Sequence, residues 1–370
     1  MLQKTRRPLP RLLLLSIAAI LVVAGLGCVV PSSSQAPTTV PGSKVGFSVG
    51  GQTIWENDAD LGHDLDLVAS TGAKWVRMDW DWKSVQAGGP TSWAWANTDR
   101  IVSAAQARGL SILGVIAYTP TWARMAACSS SMFCPPNNPA DYANFARAAA
   151  ARYAPLGVHD WEIWNEPNLP QWWGQPANAA AYVGILKPAY VAIHGVDPNA
   201  TVITGGLAPH GDLGATPTDP QSPVNYVQAM YTAGAHGYFD ALGLHPYPPL
   251  PYDPLSGKIG WNALLQASWI HDIMTSNGDG GAQIWATEYG APTGPTGYTF
   301  TVSPQTQAQY LQTGIRYWNS LSFAGPLFID TVHDWPTTSF DDWHDNMGVE
   351  TTDRAPKPAV TALQQLVSNN

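Results

Sequence analysis

Positive charge is scarce in this sequence. Lys and Arg number 18 against 27 Asp and Glu in 370 residues, for a formal net charge of −9. Binding to nucleic acid draws on dense Lys and Arg to neutralise phosphates, so the composition argues against that class of partner. Charged residues of both signs make up only 12% of the chain, against about a quarter in ordinary globular domains, and the polar surface must come from neutral groups and loops. No glycine-rich phosphate turn follows the first strand candidate, which counts against a doubly wound dinucleotide fold. No strong short-period repeat suggests a solenoid.

Apolar residues are 45% of the chain, enough for a large core, and one barrel of about 250 to 350 residues is ordinary, so the length does not demand two domains. A leader stands apart. Lys4, Arg6, Arg7 and Arg11 precede an uncharged run from Leu12 to Gly27, the pattern of an export signal. That run, about sixteen residues, is short for a bilayer span. It ends in "GLGC", which resembles the bacterial lipoprotein cleavage box, although Gly25 stands where that box usually has leucine. Plain cleavage and an uncleaved anchor are the alternatives to lipidation of Cys28. The next residues are rich in Pro, Ser and Thr, with too little apolar mass to recover their ordering entropy, and read as a tether. The expected organisation is a signal peptide over 1–27, a linker over 28–43 and one domain over 44–370. Such a chain would be bacterial, monomeric and exported, either secreted or held at the cell surface. Its membrane contact would come only from the signal or a lipid anchor. Cleavage after Gly27 would take the net charge from −9 to −13, because the four basic residues leave with the leader. Of three cysteines, Cys128 and Cys134 remain as a close pair in "CSSSMFC". An exported protein meets oxidising conditions, so a disulfide staple is preferred to free thiols, and two soft ligands are too few for a metal site.

Eight β-like runs begin at residues 44, 73, 110, 158, 200, 238, 282 and 325. Between them lie amphipathic, Ala-rich stretches near 58–71, 97–108, 140–154, 178–195, 222–235, 261–276, 304–320 and 356–367. Strands that each lead into a helix, repeated eight times, close into a (β/α)8 TIM barrel more naturally than they extend an open sheet. Chemistry in such barrels sits at the C-terminal mouths of the strands.

Two glutamates fall there. Glu166, in "WEIWNEPN", ends the fourth strand candidate, and Glu288, in "WATEYG", ends the seventh. Hydrolysis of a glycosidic bond with retention needs two opposed carboxyl groups about 5 to 5.5 Å apart, one as nucleophile and the other as acid and then base. Asn165, beside Glu166, supplies an amide that can bond a sugar hydroxyl near the reacting carbon. Pro167 stops the strand at the mouth.

These motifs together resemble glycoside hydrolase clan A, the retaining (β/α)8 glycosidases, and families five and thirty-nine in particular, over about residues 44–368. The resemblance implies Glu166 as acid/base and Glu288 as nucleophile. It implies that Arg77 in "WVRMDWDW" orients the nucleophile, that His245 and Tyr247 in "LHPYP" belong to the site, and that Trp335 in "VHDWP" stacks on the sugar. No metal or cofactor is required for that hydrolysis.

Plainer readings stand beside these. Arg77 can be a structural partner of Asp79 or Asp81, and His245 a satisfied core histidine. Glu162 lies inside its strand and reads as an interior ion pair. Trp161, Trp164 and Trp285 are expected in the barrel wall, while Trp80, Trp82, Trp122, Trp172 and Trp173 follow strands at the mouth and are candidate sugar platforms. The acidic stretch 333–346, with His333, Asp334, Asp341, Asp342, His344 and Asp345, reads as a polar loop over the cleft, with a hard-metal site as the alternative. The expected function is an exported retaining β-glycosidase acting on a carbohydrate such as β-galactofuranan, arabinogalactan or β-glucan. The rival is a carbohydrate-binding barrel without catalysis.

Overall fold

The computed structural model describes residues 39–51, 53–210, 221–250, 252–257, 260, 262–294, 300–336 and 343–368. The leader 1–27, Cys28, the linker up to residue 38, and Asp341 and Asp342 lie outside the described residues.

Eight parallel strands close a barrel in sequence order: β2 (Val45–Gly50), β3 (Trp75–Asp81), β4 (Ser111–Ala117), β5 (Asp160–Ile163), β6 (Thr201–Thr204), β7 (Ala241–Leu244), β8 (Gln283–Tyr289) and β9 (Ala324–Asp330). The fourth and seventh strands of the barrel are thus β5 and β8. Strands covered on both faces read as nearly unbroken apolar runs, and β4, "SILGVIA", is buried along all but its first residue. Outside the barrel, β1 (Val40–Pro41) pairs in parallel with β10 (Val367–Ser368), so order begins within the last residues of the stretch read as linker. Val40 is buried there.

The crossover helices start on local chemistry. Asn57, Asn138, Asn178, Asn262 and Ser303 cap α1 (Asp58–Ser70), α4 (Pro139–Tyr153), α6 (Ala179–His194), α8 (Ala263–Ser276) and α9 (Pro304–Ser320), each accepting from backbone N–H groups of the first turn. Proline at the first position of α4 and α9 costs no hydrogen bond. Two helices also repair the barrel rim. Tyr142 of α4 donates to Ile116 O at 2.6 Å, and Tyr182 of α6 donates to Ile163 O at 2.9 Å while accepting from Gly205 N at 2.7 Å. Each satisfies backbone where the strand ladder stops.

The barrel interior changes character along its axis. Its lower layer is apolar: Trp75, Leu113, Ile203, Ala241, Trp285 and Phe328 pack together, with Trp75 edge-on to Trp285 at 5.5 Å. Gly46 makes room for it, since a Cβ there would lie 2.7 Å from the Phe328 ring. Above this layer sit Arg77 and Glu162, and above them the mouth.

Burial corrects three of the expected platforms, Trp80, Trp82 and Trp173. Arg77 and Asp79 point into the barrel, so Trp80, between Asp79 and Asp81, points out and is fully buried against Tyr153 and Trp161. Trp82 and Trp173 are also buried in the shell, and Trp122 packs edge-on to Trp82. Trp161, Trp164 and Trp285 are buried in or around the barrel wall as expected: Trp161 packs on Trp80 and Trp164 on Trp173 outside the strands, and Trp285 packs inside. Cys128 and Cys134 form a disulfide with Cα atoms 5.4 Å apart. Met132 and Phe133, between them, are turned to the mouth.

Candidate active site

Glu166 and Glu288 meet. His245 Nδ1 lies 2.9 Å from Glu166 Oε1 and 3.2 Å from Glu288 Oε2, so both carboxylates converge on a single nitrogen. One ligand atom from each of the three residues falls within 4.8 Å of the others. The two carboxylates thus face one another closely enough for both to touch one reacting centre, as retention requires.

Glu166 is delivered by a strained turn. β5 stops at Ile163, and Trp164 and Glu166 take left-handed φ values of 73° and 45°. Such conformations cost on the order of 1–3 kcal/mol each in residues other than glycine and persist only where the surroundings over-determine them. Here they do. Trp164 Nε1 donates to Trp172 O at 2.9 Å, and Glu166 N donates to Gly206 O at 3.1 Å. Asn168 is fully buried, donating to Ala208 O and Gln221 O while accepting from Ala208 N. The second asparagine of "NEPN" is therefore a clamp between loops, a role that sequence reasoning missed.

Glu288 is delivered by β8 and held from three sides. Arg77 Nη1 donates to its Oε1 at 2.7 Å, and the Tyr247 hydroxyl lies 2.7 Å from its Oε2. Burial alone would push the Glu288 carboxyl up, but the charges of His245 and Arg77 and the Tyr247 hydrogen bond outweigh it and hold the group below the usual carboxylate range. His245 shows the converse balance. Burial opposes a charged ring, yet the charge of Glu288 and the bond to Glu166 hold its pKa above the ordinary histidine value. Its Nε2 has no hydrogen-bond partner among the described residues and packs on Gly206.

Arg77 is positioned by Glu162 rather than by Asp79 or Asp81. Its Nε and Nη2 fork onto Glu162 at 2.6 and 3.1 Å, and Nη2 also donates to Asn165 Oδ1 at 2.8 Å. Glu162 accepts further bonds from Gly206 N and Thr287 Oγ1. The interior glutamate is thus the ion pair expected of it, and it aims the arginine at Glu288.

Two more carboxyls face the same space. Asp330 ends β9 as Glu288 ends β8, and Asp79 lies two residues beyond Arg77 on the same face of β3. Burial, reinforced by nearby carboxylates, pushes each up to about 7. From sequence Asp79 is named only as a partner of Arg77 and Asp330 is not named, although strand-end position and period-two spacing mark both. The cleft above has a volume of ≈ 590 Å³, with Trp55, Tyr118, Phe133, Trp172 and Trp335 in its walls. Trp335 comes five residues after the end of β9 and rests against the His333 ring at 4.5 Å. A second cavity of ≈ 320 Å³ adjoins it, and Glu166 and Trp172 border both. The described residues of 333–346 do not converge. His333 Nδ1 faces Asp64 Oδ2 at 3.2 Å, Asp334 pairs with Lys357 at 2.7 Å, and His344 and Asp345 line the cleft.

The model of the family described as cellulase, glycosyl hydrolase family 5, matches residues 33–321. The chain belongs to glycosyl hydrolase family 5. Solved structures share the fold of this glycoside hydrolase. A family 39 glycoside hydrolase from Bacteroides cellulosilyticus is 23% identical with a TM-score of 0.69, covering 88% of this chain, which spans 63% of that enzyme's length. A monomeric β-xylosidase from Caulobacter crescentus is 17% identical, with a TM-score of 0.64 over 88% of this chain and 68% of its own. A family 5, subfamily 18 protein from Streptomyces cattleya, solved with Manβ1-4GlcNAc, is 16% identical, with a TM-score of 0.65 over 88% and 80%. No curated protein sequence matches the chain. The resemblance drawn from "WEIWNEPN" and "WATEYG" therefore holds at the level of the clan and of family 5.

Proposed function

We propose that this family 5 member is a retaining β-glycosidase in which Glu288 is the nucleophile and Glu166 the acid/base. The observation that carries this reading is the convergence of both carboxylates on His245 Nδ1 at the barrel mouth. Glu288, kept ionised by Arg77, attacks the anomeric carbon while Glu166 protonates the leaving oxygen. Glu166 then removes a proton from the water that cleaves the glycosyl ester and frees Glu288. Asn165, its Oδ1 already accepting from Arg77, offers its NH2 to a sugar hydroxyl beside the reacting carbon.

Because Glu166 borders both cavities, the leaving group lies in the smaller one against Trp172, and the glycone in the larger one between Trp55 and Trp335. The β-xylosidase and Manβ1-4GlcNAc of the structural neighbours support a β-linked substrate. We place the enzyme outside the cytoplasm, as a monomer anchored through Cys28 or secreted, acting on envelope or extracellular glycan such as β-galactofuranan, arabinogalactan or β-glucan.

The test is kinetic. Glu288→Ala should abolish turnover of an aryl β-glycoside, and azide should restore it with inverted glycosyl azide as product. Glu166→Ala should lower kcat on poor leaving groups by about 10²–10⁴-fold. Undiminished turnover by either variant would remove the assignment. A binding-only barrel would leave every member of a polysaccharide panel intact.

A further inference from the structure

Tyr247 raises a question of proton count. Its phenol oxygen lies 2.7 Å from Glu288 Oε2 and 2.8 Å from Asp330 Oδ2. A phenol donates one proton, and ionised carboxylates only accept. At these distances one of the two carboxyl groups must therefore carry a proton of its own. Glu288 is the poor candidate, because Arg77 donates to it at 2.7 Å and His245 Nδ1 lies 3.2 Å from the oxygen that Tyr247 touches. Asp330 makes no ion pair among the described residues. The titratable and charged groups facing it are Tyr247 and His245 from the end of β7, Glu288 from β8 and Arg77 from β3. Both cations among these are already committed to Glu288.

We propose that Asp330 is a neutral carboxylic acid in the resting enzyme, donating to the Tyr247 oxygen so that the single phenol proton is directed wholly to Glu288. Asp330 is then a positioning residue for the nucleophile, acting through Tyr247, and this rests on Glu288 being that nucleophile. No proton changes hands in the resting chain. Burial and the adjacent Glu288 charge push the Asp330 carboxyl up to about 7, which acts in the same sense. As pH rises through that region Asp330 gives its proton to solvent. Two anions then compete for one phenol proton, Glu288 loses its undivided donor, and turnover falls.

Asp330→Asn keeps a donor toward Tyr247 and never ionises. Infrared difference spectra of wild type against Asp330→Asn, recorded from mildly acid to mildly alkaline pH, read the protonation state without substrate. The expected result is a carboxylic-acid C=O band in the wild type that bleaches around neutrality. An Asp330 already ionised on the acid side overturns the proposal. Should Asp330→Asn not fold, wild type against Tyr247→Phe reports the same band, because that variant removes the acceptor of the Asp330 proton. In the pH profile of kcat/KM, Asp330→Asn is expected to leave the acid limb, set by Glu288, in place, because a neutral Asp330 contributes no charge there. An acid limb that moves down in Asp330→Asn, as loss of a neighbouring anion would make it, also overturns the proposal. If the wild type proves inert on every glycoside, the infrared titration still decides the state of Asp330, so the two failures are told apart.

Discussion

Without Arg77, Glu162 and Glu288 would lie side by side in the barrel with no cation between them. Breaking a buried pair from one side costs more than the pair contributes, because the remaining charge is stranded. Arg77→Met is expected to destabilise the fold by about 3–5 kcal/mol in denaturant unfolding. It should also move the acid limb of kcat/KM upward. The sign follows from the lowered pKa of Glu288: the ionised carboxylate is present above that pKa and lost as pH falls through it. Removing a cation that favours the ionised form brings that loss at higher pH. An acid limb unmoved in Arg77→Met would show that Arg77 does not hold Glu288 ionised, and a stability equal to wild type that it does not support the fold.

At the scale of elements, the βα turns position the chemistry more than the strands do. Gly206, after β6, accepts from Glu166 N through its carbonyl, donates to Glu162 and lies under His245. A Cβ there would come within 2.1 Å of His245 Nε2 and 2.4 Å of Thr287 Oγ1, closer than side chains tolerate. Gly206→Ala should therefore push His245 off both carboxylates, lowering kcat, with an overpacking cost of about 1–3 kcal/mol visible in thermal unfolding. Wild-type kcat in that variant would mean that the His245 position is immaterial. The same scale shows what could be read without coordinates. Eight strand–helix repeats were legible because strands buried on both faces are apolar throughout and their helices are Ala-rich with Asn, Ser and Pro at the start. Glu166 and Glu288 were legible because strand ends are where a barrel puts its chemistry. The inward side of β3 is legible from Arg77, and strand parity then turns Trp80 outward, whereas nearness to the mouth alone suggests a platform; the burial of Trp82 has no such local sign. Trp55 and the clamp of Asn168 depend on how turns fold back over the barrel, and no local pattern announces that, whereas Asp330 is marked by its place at a strand end.

The molecule as a whole separates stability from reactivity along one axis. Apolar packing of Trp75, Trp285 and Phe328 closes the lower barrel, the Arg77–Glu162 pair spans the middle, and four carboxyls crowd the mouth with His245. The acidic groups destabilise one another there, and the aromatic and ion-paired layers beneath hold them together. The barrel exists, on this account, to bring residues 166 and 288 onto one sugar ring. The most direct measurement is mechanism-based labelling with an activated 2-deoxy-2-fluoro β-glycoside of the sugar found to be cleaved, followed by digestion and mass spectrometry. The account predicts one glycosyl group per chain, on the peptide carrying Glu288, and none on Glu288→Gln. A label on Asp330, Asp79 or any other carboxylate, or turnover that yields the inverted sugar, would contradict it.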